Sequence, residues 1–546
     1  MQFLNIRNKK IIIYGVFLAI FIIGTNIYKD YGMSFDDDDY RKIGQFHYEY
    51  IKIFLTNNEN FSLNTIKNLK QEIFSGTDIG EITNHPVIFE ILVEFFVDLL
   101  NLNTSKDIYE LSHFINFTIF LISLIFFYKL IRSKFDSQGY GLFSVIFLFL
   151  TPRIFAESFY NSRDIFFLSL FIFNIYLARN FLLKQNFNSA IVYSLSSALL
   201  INAKILGLLP PILFLLFYFF DAMDERKTKK NEIKFTGLIV IFTIFFIYIF
   251  WPYLWLNPIQ NFLSAFSDIV QSQNSISILN LYLGDYTTSN NMPWHYRIVW
   301  FAVSTPTFVL FFFIIGFCVL LFQIFNGLLQ LNNNNKNIWS NKDQMYNFYL
   351  FFVIIITITA SIKFNTSQFG GWRHFYFLYP IVILFSLLGF KSLLFYSKNI
   401  NIKFLIYPLI GFNLLYVLFW NVLNHPHQQV FFNYISKNYA YKNFDLDYWG
   451  ISNIHSLRYI IKNNNNYPLK IGTISFNSLK DNTLLLTEKE KKKINIVYKL
   501  NEANFLIENY KKKLRNNYKV DKTKYVKYYE ILVNNVPINT VYKKID

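Results

Sequence analysis

Long apolar blocks separated by short polar interruptions run from the N-terminus to about residue 423, where the pattern changes to short apolar runs in a polar background. A helix rises ~1.5 Å per residue and the hydrocarbon layer is ~30 Å thick, so blocks of ~17–25 residues predict membrane spans. They fall near 11–28, 108–130, 138–151, 164–183, 188–203, 206–221, 235–252, 298–325, 347–363, 374–395 and 403–423, about eleven in all. Such a series does not fit the core of one soluble domain. The first block has no small-residue cleavage site after it and reads as a retained span rather than a signal peptide. The expected fold class is therefore mainly α, a polytopic transmembrane helical protein. A transmembrane domain would cover 1–423, with a large first outer loop at 29–107.

The remainder, 424–546, predicts a small extracytoplasmic α/β domain. Its apolar runs Ile471–Phe476, Ile494–Leu500, Ala503–Ile507 and Tyr528–Val533 read as strands, and Ile451–Lys462 as a helix. Within the first loop, His85–Phe96 is amphipathic, with Glu90 and Glu94 one helical turn apart, as in a helix lying along a membrane surface.

Lysine and arginine orient the spans. Arg7, Lys9 and Lys10 precede the first; Lys129, Arg132, Lys134, Arg179, Lys184, Arg226, Lys227, Lys229, Lys230, Lys391 and Lys398 follow alternate later ones. All share one side if the N-terminus is cytoplasmic, which puts the four-aspartate run and the tail outside a cell (inner) membrane. All eight histidines and every tryptophan except Trp339 fall on or near that outer side. Aromatic belts should populate both faces, so the one-sided distribution points to an outward-facing working surface.

Composition refines this only in places. The formal charge of +17 resides mostly in the tail and reflects a Lys- and Asn-rich composition. On an outside domain it argues against nucleic acid as a partner and leaves anionic lipid headgroups open. Cys318 is the single cysteine, so no internal disulfide forms.

The chemistry-bearing residues gather at the outer ends. Asp36 and Asp37 open the run Asp36–Asp39 just after the first span, where a carboxylate can serve as a base. Lys204 stands between two apolar spans, a costly place for an ammonium unless it has a task or a short path to water. Arg153, Arg163 and Arg373 occupy similar span ends and suit an anionic leaving group. His295 and Asp37 could ligate a divalent cation, but no compact ligand spacing accompanies them, so no metal or other cofactor is assigned.

In order, the outer elements read Phe35-Asp36-Asp37, Asn84-His85-Pro86, Thr151 through Asp164, Asn202-Ala203-Lys204, Trp251-Pro252-Tyr253, Pro293-Trp294-His295-Tyr296, Gly371-Trp372-Arg373-His374 and His425-Pro426 through Asp445–Gly450. This series resembles the GT-C membrane glycosyltransferases of the protein O-mannosyltransferase and aminoarabinose-transferase-like group. The resemblance implies a transferase that moves a sugar, with inversion, from a polyprenyl-phosphate carrier to a hydroxyl acceptor on protein, lipid or glycan at the outer face. It maps the catalytic acidic pair onto Asp36 and Asp37, though the run of four lets the register slip. It implies donor-phosphate contacts at Lys204, Arg153, Arg163 and Arg373. An acceptor or sugar pocket would draw on His85, Asp164, Trp294, His295, Tyr296 and His374. Ser112-His113 stands where relatives often carry arginine. A transporter or lipid flippase is the competing class; it would place ionisable groups mid-span or show inverted halves.

The orientation is open to direct test. In a Cys318→Ser background, a cysteine replacing Asn464 should react with a membrane-impermeant thiol reagent in intact cells, and one replacing Lys229 should not. The opposite pattern would invert every outer-face assignment.

Overall fold

The computed structural model describes residues 6–56, 63–74, 86–222, 229–275, 277–331, 338–364, 366–396, 400–465, 467–476, 479–512 and 519–545. In chain order, α1 is Ile6–Ile27, α2 Asp37–Thr56, α3 Leu63–Phe74, α4 Ile88–Leu99, α5 Ser105–Phe135, α6 Gln138–Leu150 and α7 Pro152–Tyr160. Then come α8 Ser162–Lys184, α9 Phe187–Ala203, α10 Leu209–Ala222, α11 Lys229–Phe250, α12 Pro258–Ser275, α13 Tyr296–Ser304, α14 Thr307–Leu329, α15 Lys342–Lys363, α16 Tyr379–Tyr396 and α17 Ile400–Leu423. Among the described residues, eight helical segments are long and apolar enough to cross a membrane. The bent pair α6–α7 and the shorter apolar helices Phe187–Ala203 and Ile205–Asp221 complete the eleven segments expected.

Packing sorts these helices into interior and periphery. α8 and α16 are largely enclosed, whereas α1, α11 and α17 turn most of their apolar side chains outward, as Ile241, Ile244, Phe404 and Phe412 illustrate. Hydrocarbon is as apolar as leucine, so helices in it associate through close packing and interhelical hydrogen bonds. Both occur here. α14 and α16 cross at Gly316 and Gly389, where an added Cβ would lie 1.9 Å from the Phe385 carbonyl oxygen and 2.2 Å from that of Phe312. Between α8 and α9, the Asn174 amide donates to the hydroxyls of Ser196 at 3.2 Å and Ser197 at 3.0 Å.

Two expected spans are interrupted. After α6 the chain bends by 69° into α7. Pro152 has no N–H to continue the ladder and biases Thr151 away from helix, so the bend falls at that pair. α7 is buried throughout. The 298–325 block breaks before Pro306, and the amide of Asn433 donates to the freed carbonyls of Ala302 at 2.7 Å and Thr305 at 3.0 Å.

The first-loop helix α4 forms, but Glu90 and Glu94 face inward against α2, while Phe95, Leu99 and Leu100 are exposed. A helix whose outer face meets lipid turns its carboxylates to protein partners: Glu94 accepts from Arg41 at 2.8 Å. The helix therefore packs on α2 with its charged side, not with that side in water.

Beyond α17, short α18 (Lys437–Asn443), α19 (Asn453–Lys462), α20 (Leu479–Thr483) and α21 (Glu488–Lys491) surround a mixed sheet. A separate hairpin, β1 (Leu279–Tyr282) and β2 (Asp285–Thr288), lies between α12 and α13. The five-stranded sheet has the order β4-β3-β5-β7-β6, with β3 Leu469–Thr473, β4 Ile494–Ile496, β5 Phe505–Glu508, β6 Tyr525–Val533 and β7 Val536–Lys544. β3 is parallel to β4 and β5, and β7 is antiparallel to β5 and β6. The tail is thus α/β as expected, with β7 added. β7 carries Pro537 and ends in lysines, which mask its strand pattern, and the tight turn into it uses Asn534 and Asn535, both at positive φ.

This tail packs onto the start of the first loop. Phe35 lies 5.5 Å from the rings of both Tyr448 and Trp449 and 5.7 Å from Phe476. The Met33 amide donates to Asn482 at 3.2 Å. A buried ion pair ties the same region to β1: the Lys511 ammonium donates to Asp445 at 2.7 Å and to the Asn280 side-chain oxygen at 2.9 Å. Burial lowers the Lys511 pKa, and Asp445 opposes that shift.

Lys511→Met leaves the Asp445 charge buried without its cation and should cost ~3–5 kcal/mol. Thermal unfolding with limited proteolysis of the purified protein would read this. The Lys511→Met/Asp445→Leu double variant should recover most of the loss; if the single variant unfolds like the parent, the pair is dispensable.

Candidate functional site

The four aspartates have four different surroundings. The chain enters α2 through Ser34, and the Ser34 N–H donates to the Asp37 carboxylate at 3.1 Å while the Asp37 N–H returns to the Ser34 carbonyl at 3.3 Å. This reciprocal pair is a helix-entry arrangement, and it holds Asp37 against its own loop. Asp38 accepts from the Tyr109 hydroxyl at 2.6 Å and pairs with Lys42 at 2.7 Å. Burial pushes the Asp38 carboxyl up, but these two partners hold it below the ordinary value. Asp39 is the most exposed of the four.

Asp36 alone points to the arginine loop. Its Oδ2 is 3.7 Å from the Arg373 guanidinium, and its side chain keeps about a quarter of its surface exposed (27%). Burial raises the Asp36 carboxyl above its usual range; Arg373 opposes the rise and Asp164 adds to it. Asp37 is raised further, by burial against the hydrogen bonds from Ser34.

Arg373 is placed by a loop only glycine can build. Gly370 and Gly371 both adopt positive φ, at 66° and 73°. The Gly371 N–H donates to the Tyr296 hydroxyl at 3.1 Å, and the Trp372 indole donates to Ser304 at 2.8 Å. The guanidinium then lies over the rings of Trp449 at 4.4 Å, Phe369 at 4.9 Å and Tyr448 at 5.5 Å. A flat delocalised cation stacks well on such faces.

Behind Arg373 stands Asp164, buried in the first turn of α8. It sits 3.7 Å from Arg373 and makes a short charge-assisted hydrogen bond with Lys204. Lys204 is the C-cap of α9, where the chain leaves the helix in an extended conformation and turns its side chain to α8. Asn161 caps α8, its side-chain oxygen accepting from the Asp164 N–H at 3.1 Å; its amide donates to Asp164 at 2.8 Å and to Glu157 at 2.6 Å. Glu157 also accepts from the Tyr376 hydroxyl at 2.7 Å. The result is one continuous polar line, Tyr376–Glu157–Asn161–Asp164–Arg373–Asp36, with Lys204 joined at Asp164.

Arg163 approaches from the next position. Its guanidinium stacks 4.1 Å over Tyr40, donates to the Pro86 carbonyl at 3.0 Å and lies 3.9 Å from Glu90. His374 follows Arg373, edge-on to Phe369 at 5.2 Å, and its Nε2 has no partner among the described residues.

Asp36, Asp164, Lys204, Arg163, Arg373 and His374 therefore converge, and Tyr296 supports the Arg373 loop. Arg153 sits elsewhere: its guanidinium is buried over Trp300 at 4.8 Å and Phe432 at 5.7 Å. His295 bonds the Tyr282 hydroxyl at 2.6 Å and Trp294 is exposed; no recorded contact ties either to Asp36. His85 lies outside the described residues. Among the described residues, no group of three or more His, Cys, Asp or Glu side chains is arranged to hold a metal.

Sequence reasoning did not assign Glu157, Asn161, Tyr376, Tyr40 or the Tyr448-Trp449 pair to the site. Asn161 was legible in part, since Asn-x-x-Asp before an apolar block is a helix-start signal. Tyr376, Tyr40 and the Tyr448-Trp449 pair carry no local signal, because their partners lie more than forty residues away, and Glu157 has one distant partner, Tyr376, beside the nearby Asn161.

Asp447 accepts from the amides of Ile451 and Ser452, both at 3.1 Å, so it anchors the turn before α19 while its neighbours Tyr448 and Trp449 face Arg373.

Residues 84–251 match the family model of dolichyl-phosphate-mannose-protein mannosyltransferases. No curated protein matches the chain. Among solved structures, the oligosaccharyltransferase of Archaeoglobus fulgidus in its apo form shares 11% identity over 77% of this chain and 57% of its own, at a TM-score of 0.41. The same enzyme tethered to an acceptor peptide with the NVT sequon gives 11%, 77%, 56% and 0.35. The chain spans just over half the length of that enzyme. The stretch that matches this family model, residues 84–251, includes Arg163, Asp164 and Lys204.

Proposed function

We propose that this protein moves a sugar from a polyprenyl-phosphate carrier to a hydroxyl acceptor at the outer face of a cell membrane, inverting the anomeric centre. The observation that carries this reading is the single line Asp36–Arg373–Asp164–Lys204. A partly exposed carboxylate stands at one end, and behind it stand the buried Arg373 and the partly buried Lys204.

In the proposed reaction the acceptor oxygen attacks the anomeric carbon as its proton passes to Asp36. The bond from that carbon to the phosphate oxygen breaks, and polyprenyl phosphate departs with the added negative charge. A base must be ionised and within hydrogen-bond reach, and exposure on one side lets Asp36 meet both conditions. Arg373 stabilises the ionised form while its fixed stacking keeps the carboxylate in place. Lys204 and Arg373 meet the charge developing on the phosphate, in a water-poor setting where such contacts are strongest. Asp37, held by Ser34, orients the loop that presents Asp36.

Two measurements test the reading. Asp36→Asn should lower turnover ~10²–10⁴-fold with donor affinity largely kept. In the parent, burial raises the Asp36 carboxyl, so kcat/KM should fall on acidification through a pKa above the ~3.9 of a free aspartate. Asp38→Asn should stay near the parent rate; an Asp36→Asn enzyme with parental turnover would end the base assignment. Lys204→Met should weaken binding of a polyprenyl-phosphate sugar by on the order of 1.5–3 kcal/mol, Arg373 still neutralising Asp164. Unchanged affinity in nanodiscs would make Lys204 purely structural.

A further inference from the structure

α11 turns a stripe of side chains away from the protein: Ile241, Ile244, Phe245, Tyr248 and Ile249 are all exposed. In a multi-pass protein such a stripe meets lipid. At its end Pro252–Leu254 makes one tight turn, and the chain folds back onto the stripe. The Trp255 indole N–H donates to the Tyr248 carbonyl at 2.8 Å, and the Tyr248 hydroxyl donates to the Trp255 carbonyl at 3.3 Å. Tryptophan and tyrosine concentrate where hydrocarbon gives way to headgroups. α12 starts at Pro258, just after this clasp. The Trp255 ring also lies 4.8 Å from Phe54 and 5.9 Å from Tyr50, which joins the same point to α2.

The first turns of α12 carry three stripes of residues spaced three or four apart, each stripe turned ~100° from the next. Phe262 and Ala265 face the protein: Ala265 is fully enclosed, and the Phe262 ring lies 6.1 Å from the buried Trp251. Gln260, Ser264 and Ser267 are exposed and polar, with Ser264 donating to Asp268 at 3.2 Å. Between these two stripes, Ile259, Leu263 and Phe266 are exposed at 76%, 62% and 45%. From Pro258 to Asp268 the only charged residue is Asp268.

A helix on a water-facing surface turns its apolar side to the protein and polar residues to everything else. A helix immersed in hydrocarbon has no use for a polar stripe. The order protein, apolar, polar around one helix fits a third position: along the boundary, with lipid on one flank and water on the other. Leu256, exposed just after Trp255, carries the apolar surface from the end of α11 to Ile259. That continuity with a lipid-facing stripe makes lipid, not a second copy of the chain, the cover for this face.

We propose that α12 lies in the plane of the bilayer surface, its Ile259–Leu263–Phe266 face seated among phospholipids at the boundary of headgroups and acyl chains. This places a lipid anchor ahead of β1, whose Asn280 accepts the hydrogen bond from Lys511 of the tail.

The test uses the full chain in phosphatidylcholine nanodiscs. In a Cys318→Ser background, Ile259→Cys, Leu263→Cys, Gln260→Cys and Ser264→Cys are each labelled with bimane, and a monodisperse elution peak shows that each variant is folded. One quencher is phosphatidylcholine with a doxyl group near the top of its acyl chain; the other is iodide in the buffer. An in-plane helix buries its apolar face ~5–10 Å deep, so the lipid quencher should dim positions 259 and 263 at least roughly twofold more than 260 and 264, and iodide should do the reverse. Strong iodide quenching at all four positions would mean that the helix stands in water, and would overturn the inference. Protection of 259 and 263 from both quenchers would overturn it in favour of a protein cover, such as a second copy. Equal lipid quenching at all four would overturn it in favour of an immersed helix. With the label moved to Phe266→Cys, the added pair Ile259→Asp/Leu263→Asp should reduce lipid quenching, and unchanged quenching would show that the apolar face does not seat the helix.

Discussion

The buried carboxylate of Asp164 is the group on which the candidate site depends. An ion taken out of water is tolerated only when paired and hydrogen-bonded, and Asp164 has both kinds of partner: Lys204 and Arg373 as cations, Asn161 as amide donor. Each comes from a different part of the chain. Lys204 ends α9, Arg373 follows the glycine loop before α16, and Asn161 caps α8 at the bend from α7. Satisfying one charge therefore fixes the relative positions of three helix ends. Asp36 then becomes the fourth charge in the line, because Arg373 has a second face to offer.

Arg373 is held on its other sides by aromatic rings from Phe369, Tyr448 and Trp449. The last two belong to the segment that leads into the tail domain, and Phe35 packs against the same two rings one residue before Asp36. The tail is thus part of the site's architecture: its Lys511–Asp445 pair and the Asp447 turn hold the strand of chain that covers the guanidinium. An arginine so enclosed has little conformational freedom left to lose on binding a ligand.

The division of labour among four adjacent aspartates follows from helix geometry. α2 begins at Asp37, so consecutive side chains are turned about a hundred degrees apart as the helix starts. Asp37 folds back to Ser34, Asp38 reaches Lys42 and Tyr109 on α5, and Asp36, still before the helix, faces across to Arg373. Similar residues in one run acquire separate surroundings within a single turn.

Hydrophobic periodicity by itself determined the span positions, the long loops between them and the α/β character of the tail, since block length against bilayer thickness and strand-length runs are local properties. The acidic run and the span-end cations were equally plain, because ionisable residues bordering apolar blocks stand out by composition. Everything that depends on partners distant in the chain was left to the tertiary structure. It decided that Asp36, not Asp38 or Asp39, meets Arg373, and that Arg153 turns into an aromatic pocket with Trp300 instead. It turned Glu90 and Glu94 inward, because a helix with lipid on one side must satisfy its carboxylates on the other. Pro152 and Pro306 were visible as helix breakers, but whether a break makes a loop, a kink or a buried second segment depends on what fills the freed carbonyls, and Asn433 does so at Pro306 from more than a hundred residues away.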